Sequence, residues 1–158
     1  MDRTAQLLAI MELQRGIADF WHDVDTEWGR KAAQFYAEDA VYEAEPLKLV
    51  GREAIQRFYS WREDRGDRTA VHGVLNFRAD FEDEHHAVAT WYMLLYACDG
   101  TPPHPAEPPT RISRVTENYR WDAGEDRWLC TRRYVENLFR GGSQLNAPAA
   151  LNKGAVLP

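Results

Sequence analysis

Two side chains in this 158-residue chain could work together as a proton-transfer pair, Asp25 and His72. A histidine beside a carboxylate is held in one tautomer, and its imidazolium is stabilised once it takes up a proton. A base of that kind, working near its pKa, is worth about 10²–10⁴ in rate. Each residue also has a plain structural reading. Asp25 could cap a helix, and His72 could be a solvent-facing or packing residue of a strand. Sequence spacing alone cannot bring positions 25 and 72 together; only a fold can.

Other constellations carry less chemistry. The stretch Asp80-Phe81-Glu82-Asp83-Glu84-His85-His86 mixes carboxylates with two histidines. Adjacent side chains on an extended chain point to opposite faces, so His85 and His86 would not converge on one ion, and a solvated hairpin turn is expected instead. The chain has no HExxH, CxxC, G-x-S-x-G or glycine-rich phosphate loop. No metal and no cofactor is therefore expected. Cys98 and Cys130 fall in strand-like segments and read as buried free thiols. Arg111, Arg114, Arg120, Arg127, Arg132, Arg133 and Arg140 crowd the later part of the chain. A charge-laced outer sheet face, paired with Glu117 and Glu136, accounts for most of them. An inward-facing one would bind an anionic or phenolic oxygen.

The elements that must position these groups follow from periodicity. Leu7, Ile10, Leu13, Ile17, Phe20 and Val24 form a helical stripe, predicting a helix from about Thr4 to Trp21 that Asp23, Asp25 and Thr26 interrupt. A second helix is expected from Thr26 to Tyr36, with Asp25 or Thr26 as its N-cap. A short strand follows at Ala40 to Glu45, closed by Pro46, then a third helix from Arg52 to Glu63 opened by Gly51. After Gly66 the period changes to two. Val71, Gly73, Leu75, Phe77, Ala79 and Phe81 are expected on one face, and His72, Val74, Asn76, Arg78 and Asp80 on the other. Further strands fit Ala87 to Cys98, Thr110 to Trp121 and Arg127 to Leu138, with a turn at Asp122 to Asp126. The class is α+β, with helices packed on a curved, mainly antiparallel sheet. Thr101 to Thr110 holds five of the eight prolines and reads as a stiff loop. The domain is expected over residues 1–140. The segment Gly141 to Pro158, with Lys153 as its one charge, is expected to be a frayed end or a tail that covers the pocket or a neighbouring subunit.

Composition narrows the function class. Lys and Arg number 19 against 25 Asp and Glu, a net charge of -6, which argues against a nucleic-acid partner. No run of about 18 apolar residues exists to span a membrane, and the N-terminus lacks the order of a signal peptide. A cytoplasmic location is expected. Six Trp, seven Tyr and six Phe point to a large core or to a pocket for a flat apolar ligand.

The element order and three local motifs resemble the SnoaL-like branch of the nuclear transport factor 2-like superfamily, the branch of scytalone dehydratase and hexachlorocyclohexane dehydrochlorinase. The resemblance covers about residues 4–140. Its motifs are Val24-Asp25 with Asp39-Ala40 fourteen residues on, Arg68-Thr69-Ala70-Val71-His72, and Arg127-Trp128-Leu129. It implies a cone-shaped α+β barrel whose curved sheet wraps the helices around a pocket, with Asp25 and His72 together inside it. It also implies that Phe20, Trp91, Leu95, Arg111, Ser113 and Arg133 face inward, with Tyr42 near them. A one-residue slip would reverse the strand assignments. The chain departs from the two enzymes at Phe20, Val24, Ala44 and Ala97, where they carry their leaving-group helpers.

The resulting expectation is a cofactor-independent lyase of dehydratase type acting on a small, hydrophobic, aromatic molecule. His72 would abstract a proton and Asp25 would orient and stabilise it. Arg111, Arg133 or Tyr42 would stabilise an oxyanion or assist departure of the leaving group. Carbon–carbon cleavage would use the same parts, and aromatic-compound catabolism would be the setting. Trp21, Trp91 and Tyr92 are candidate walls for a flat ring. The resemblance further implies a homo-oligomer, a trimer before a dimer. Two alternatives stand beside this reading: an isomerase or cyclase with the same dyad, and a non-catalytic binding module or accessory subunit.

Overall fold

The first helix, α1 (Arg3–Thr26), is opened by Asp2, whose side chain accepts the Ala5 N–H at 2.8 Å. A computed structural model describes residues 1–141 of the chain; the tail expectation lies outside those residues, apart from Gly141. The apolar stripe Leu13, Ile17, Phe20, Trp21 and Val24 is buried along one face of α1. The helix does not break at Asp23. It runs on through Asp25, which is therefore in its last turn rather than capping a following helix.

The second expected helix is absent. Trp28 and Gly29 both take positive φ, 64° and 75°, which ends α1 in the left-handed manner. The Asp23 carbonyl accepts both the Glu27 and Gly29 N–H groups, at 2.8 and 3.0 Å. Gly29 is required here twice over. Besides its φ, a Cβ at this position would lie 2.6 Å from the Tyr59 ring. Only a short 3-10 turn, Ala32–Phe35, remains before the chain extends.

Strand β1 (Tyr36–Ala44) starts earlier than expected, and a short strand β2 (Leu47–Val50) follows the Glu45-Pro46 turn. Helix α2 (Arg52–Asp64) opens after Gly51, as the sequence indicates, and buries Ala54, Ile55 and Tyr59. Four long strands follow: β3 (Arg68–Phe81), β4 (His86–Asp99), β5 (Arg111–Asp122) and β6 (Arg127–Arg140). They form one six-stranded sheet in the order β2-β1-β6-β5-β4-β3. All neighbours are antiparallel except β1 and β6. The class is α+β, with a curved sheet and two helices. Among the described residues β2 and β3 are the edges of the sheet, so it is an open cone rather than a closed barrel.

The long alternation in β3 is interrupted. The register with β4 shifts between Leu75 and Arg78, and Asn76 has φ of 53°. This bulge reverses the phase of the strand. Before it, Ala70, His72 and Val74 point to the core; after it, Phe77, Ala79 and Phe81 do. Val71 and Leu75 are exposed instead. His72 thus shares the inner face with Phe77, contrary to an unbroken period of two. Cys130 is buried, but Cys98, near the end of β4, is exposed.

Candidate active site

Trp21 and Asp25 are four residues apart and lie on one face of α1. Both reach His72 on β3. The Trp21 indole stacks on the imidazole with ring centroids 3.9 Å apart and an interplanar angle of 13°. The Asp25 carboxylate grips His72 twice: Oδ2 accepts its backbone N–H at 2.8 Å, and Oδ1 meets its ring Nδ1 at 2.6 Å. The backbone contact follows from topology. β3 is an edge strand, so it has N–H groups with no ladder partner, and Asp25 satisfies one of them. The side chains of His72 and Asp25 are 5% and 16% exposed.

An ionised carboxylate can only accept, so Nδ1 carries the proton and the neutral ring keeps its lone pair on Nε2. Nε2 has no hydrogen-bond partner among the described residues. Burial pushes the His72 pKa below its ordinary value; Asp25 opposes that shift, and the charges of Arg62 and Arg133 add to it. Burial and the Asp25 contact therefore favour a neutral imidazole in the Nδ1–H tautomer, with Nε2 unpartnered among the described residues. Asp23 has a different task. Its Oδ2 accepts the Lys31 N–H at 3.0 Å and ties down the turn after α1.

Deeper in the sheet lies a second polar cluster. Arg133 on β6 donates from Nε to Glu117 Oε1 on β5 at 2.5 Å, and the two side chains are 2% and 0% exposed. Glu117 Oε2 accepts from Trp91 Nε1 and from the Tyr119 hydroxyl, each at 2.8 Å. Burial disfavours the Arg133 cation, but Glu117 and the surrounding groups outweigh it and hold the guanidinium charged. Its Cζ lies 4.1 Å from the centroid of Phe20 and 5.1 Å from that of Trp21. Trp21 Nε1, Tyr36 Oη and Arg133 Nη1 are enclosed without a hydrogen-bond partner among the described residues.

The remaining candidates distribute over the same inner face. Leu95 stands across from His72 on one side and Arg111 on the other. Ser113 is fully buried and donates to Asn137 Oδ1 at 3.1 Å. Tyr42 stands beside Arg133 in the β1–β6 register. Phe20 and Trp91, each 1% exposed, lie inside the core. Tyr92 faces outward and is not a wall. Glu117, expected on the outer face, is an inner residue. Its period-two relation to Ser113, Val115 and Tyr119 carries that signal. Glu136 does pair outside, with Arg114 at 3.5 Å. Arg62 was not singled out by the sequence. Its signal is its place one turn after Phe58 and three residues after Tyr59, on the apolar face of α2.

Burial pushes the Cys130 thiol up, which keeps it protonated and unreactive. At the hairpin after β3, His86 Nδ1 meets the Asp83 carboxylate at 2.9 and 3.0 Å. No group of three or more His, Cys, Asp or Glu side chains among the described residues is placed to hold a metal ion. No helix among them is long and apolar enough to cross a membrane.

Known proteins give the same architecture. A family model described as a SnoaL-like domain matches residues 5–134. No curated protein matches the chain. Among solved structures, the chain is similar to a Novosphingobium aromaticivorans protein provisionally named a scytalone dehydratase, with TM-score 0.78 and 17% identity over 92% of this chain and 95% of that one. It is similar to an NTF2-like protein with a cystatin-like fold from Novosphingobium aromaticivorans, with TM-score 0.71 and 18% identity over 98% and 94%. It is also similar to ActVI-ORFA of Streptomyces coelicolor, with TM-score 0.68 and 14% identity over 81% and 96%. At these identities the likeness is one of fold.

Proposed function

The chain belongs to the SnoaL-like domain family, and we propose that it is a cofactor-independent lyase of dehydratase type acting on a small hydrophobic, aromatic substrate. The observation that carries this reading is the His72–Asp25 contact at 2.6 Å, with Nε2 left without a partner among the described residues. In the proposed step, Nε2 takes a proton from a carbon next to the leaving group. The C–H electron pair becomes the new double bond, and the C–O bond breaks with its pair on oxygen. The imidazolium, stabilised by Asp25, returns the proton to that oxygen, which departs as water. Arg111, Arg133 and Tyr42 are the groups proposed to stabilise oxygen charge on the way. Phe20, Trp91, Leu95 and Ser113 shape the wall behind the ring. Trp21 holds the imidazole plane. Carbon–carbon cleavage would start from the same proton transfer.

The test is turnover of a panel of hydroxylated aromatic compounds by the wild-type chain and by His72→Asn, read by mass spectrometry. Loss of water from a panel member in the wild type, and a fall of about 10²–10⁴ in the variant, is expected. Full activity in the variant would remove the dyad mechanism. A product of unchanged mass would assign the same dyad to an isomerase or cyclase. Ligand-raised melting temperature without any turnover would favour a binding module. A homo-oligomer, trimer before dimer, belongs to the same proposal. Outward-facing Val71, Tyr96, Tyr134 and Phe139 are apolar surface available to it. Sedimentation analysis checks it, and a monomer at micromolar concentration would remove it.

A further inference from the structure

The charges around His72 are unbalanced. The Asp25 carboxylate is engaged by His72, and the Arg133 guanidinium is engaged by Glu117. Two further guanidiniums lie near the same inner region, and neither has a carboxylate within ion-pair distance among the described residues. Arg111 stands on the row His72–Leu95–Arg111. Two strand spacings of about 4.8 Å separate its backbone from that of His72. Arg62 sits one helical turn after Phe58, which packs against Tyr42 with ring centroids 6.4 Å apart, and it lies over the Tyr59 ring at 5.4 Å. The fields of Arg62, Arg111 and Arg133 all bear on Tyr42, and those of Arg62 and Arg133 also bear on His72. Residues 142–158 contain no Asp or Glu side chain.

A half-buried guanidinium with no carboxylate beside it among the described residues is costly to keep, and its fork matches a carboxylate in two-point fashion. Placing two of them beside a base that must take a proton from carbon also serves the chemistry, since the anion that forms is drawn to positive charge. We propose that the substrate is an aromatic carboxylate and that Arg62 and Arg111 bind its carboxylate group while His72 faces the carbon to be deprotonated. This rests on the lyase reading of the same site. Arg62 and Arg111 then set specificity, separating charged from neutral rings of the same shape.

The experiment compares matched probes: cinnamate, 3-phenylpropanoate and 2-naphthoate against their primary amides. Binding to the full chain is followed by calorimetry and by tryptophan fluorescence. Each carboxylate is expected to bind about tenfold more tightly than its amide, with the preference shrinking as salt rises. The ratio should fall toward one in R62Q/R111Q, the carboxylates losing far more affinity than the amides, and R111K should keep part of it. A ratio near one in the wild type, a ratio unmoved in the double variant, or no binding by any carboxylate at millimolar concentration would overturn the proposal. If the double variant does not fold, the salt dependence in the wild type and the single variants decide it. Failure of the anchor and failure of the base are separable, because H72N should lose turnover yet keep the acid-to-amide binding ratio.

Discussion

His72–Asp25 and Arg133–Glu117 both join a basic side chain to a carboxylate inside the sheet, and Trp21 touches the basic member of each, at 3.9 Å and 5.1 Å. They differ in how the carboxylate is used and in whether the basic partner can titrate. Both Glu117 oxygens are occupied, by Arg133 on one side and by Trp91 and Tyr119 on the other. The carboxylate is fully used, while the guanidinium, its Nη1 still without a partner among the described residues, cannot lose its proton in the working range. Asp25 is also used at both oxygens, but both bonds come from His72. The imidazole can change its protonation state while staying in place, and its second nitrogen has no hydrogen-bond partner among the described residues. One pair fixes the packing of β4, β5 and β6, and the other has the parts that the proposed proton transfer needs. Burial and hydrogen bonding are alike in kind at the two sites. Each basic partner keeps an unpartnered nitrogen among the described residues, so it is the titratable range of that partner that separates the two.

This contrast can be broken in four ways. The largest effect is expected from His72→Asn, which should remove about 10²–10⁴ of turnover while leaving the melting temperature close to that of the wild type. Next, Glu117→Ala should do the reverse. It strands a buried guanidinium and should cost about 3–5 kcal/mol of stability in denaturant titration. Replacing both partners together, as in Glu117→Leu with Arg133→Met, should recover much of that loss; a double variant as unstable as the single one would show that the bonds from Trp91 and Tyr119, rather than the stranded guanidinium, carry the cost. Third, acid should act through His72. Its folded pKa is depressed by burial, so below about pH 6.5 the unfolded state binds a proton the folded state resists. Stability should therefore rise with pH through that window, and His72→Asn should flatten the rise. The smallest effect is expected at the surface. The Arg114–Glu136 contact has side chains 52% and 45% exposed, and Arg114→Ala should change stability by about 0–1 kcal/mol.

The sequence made some of these features plain and hid others for physical reasons. The apolar stripe of α1, the start of α2 and the four long strands follow from periodicity that burial enforces. The turn after α1 did not, because Trp28 and Gly29 adopt positive φ within a segment of helical composition. Strand β2 is four residues long, too short for a periodic signal. The reversal in β3 depends on a single residue, Asn76, whose conformation no alternation pattern encodes. At the site, Asp25 and His72 are recognisable as residue types, but their meeting needs the edge position of β3 and the extra turn of α1. Glu117 was hidden because a carboxylate is expected outside unless its partner, Arg133, is known to be inside with it.

The proposed chemistry needs His72 to be a neutral, Nδ1-protonated imidazole whose Nε2 has no partner among the described residues. Nitrogen-15 NMR of the imidazole, followed against pH in the wild-type chain, tests it most directly. The expected result is the Nδ1–H tautomer and a titration midpoint below the value of about 6.5 that an ordinary histidine shows. An Nε2–H tautomer, or a midpoint above that value, would contradict it.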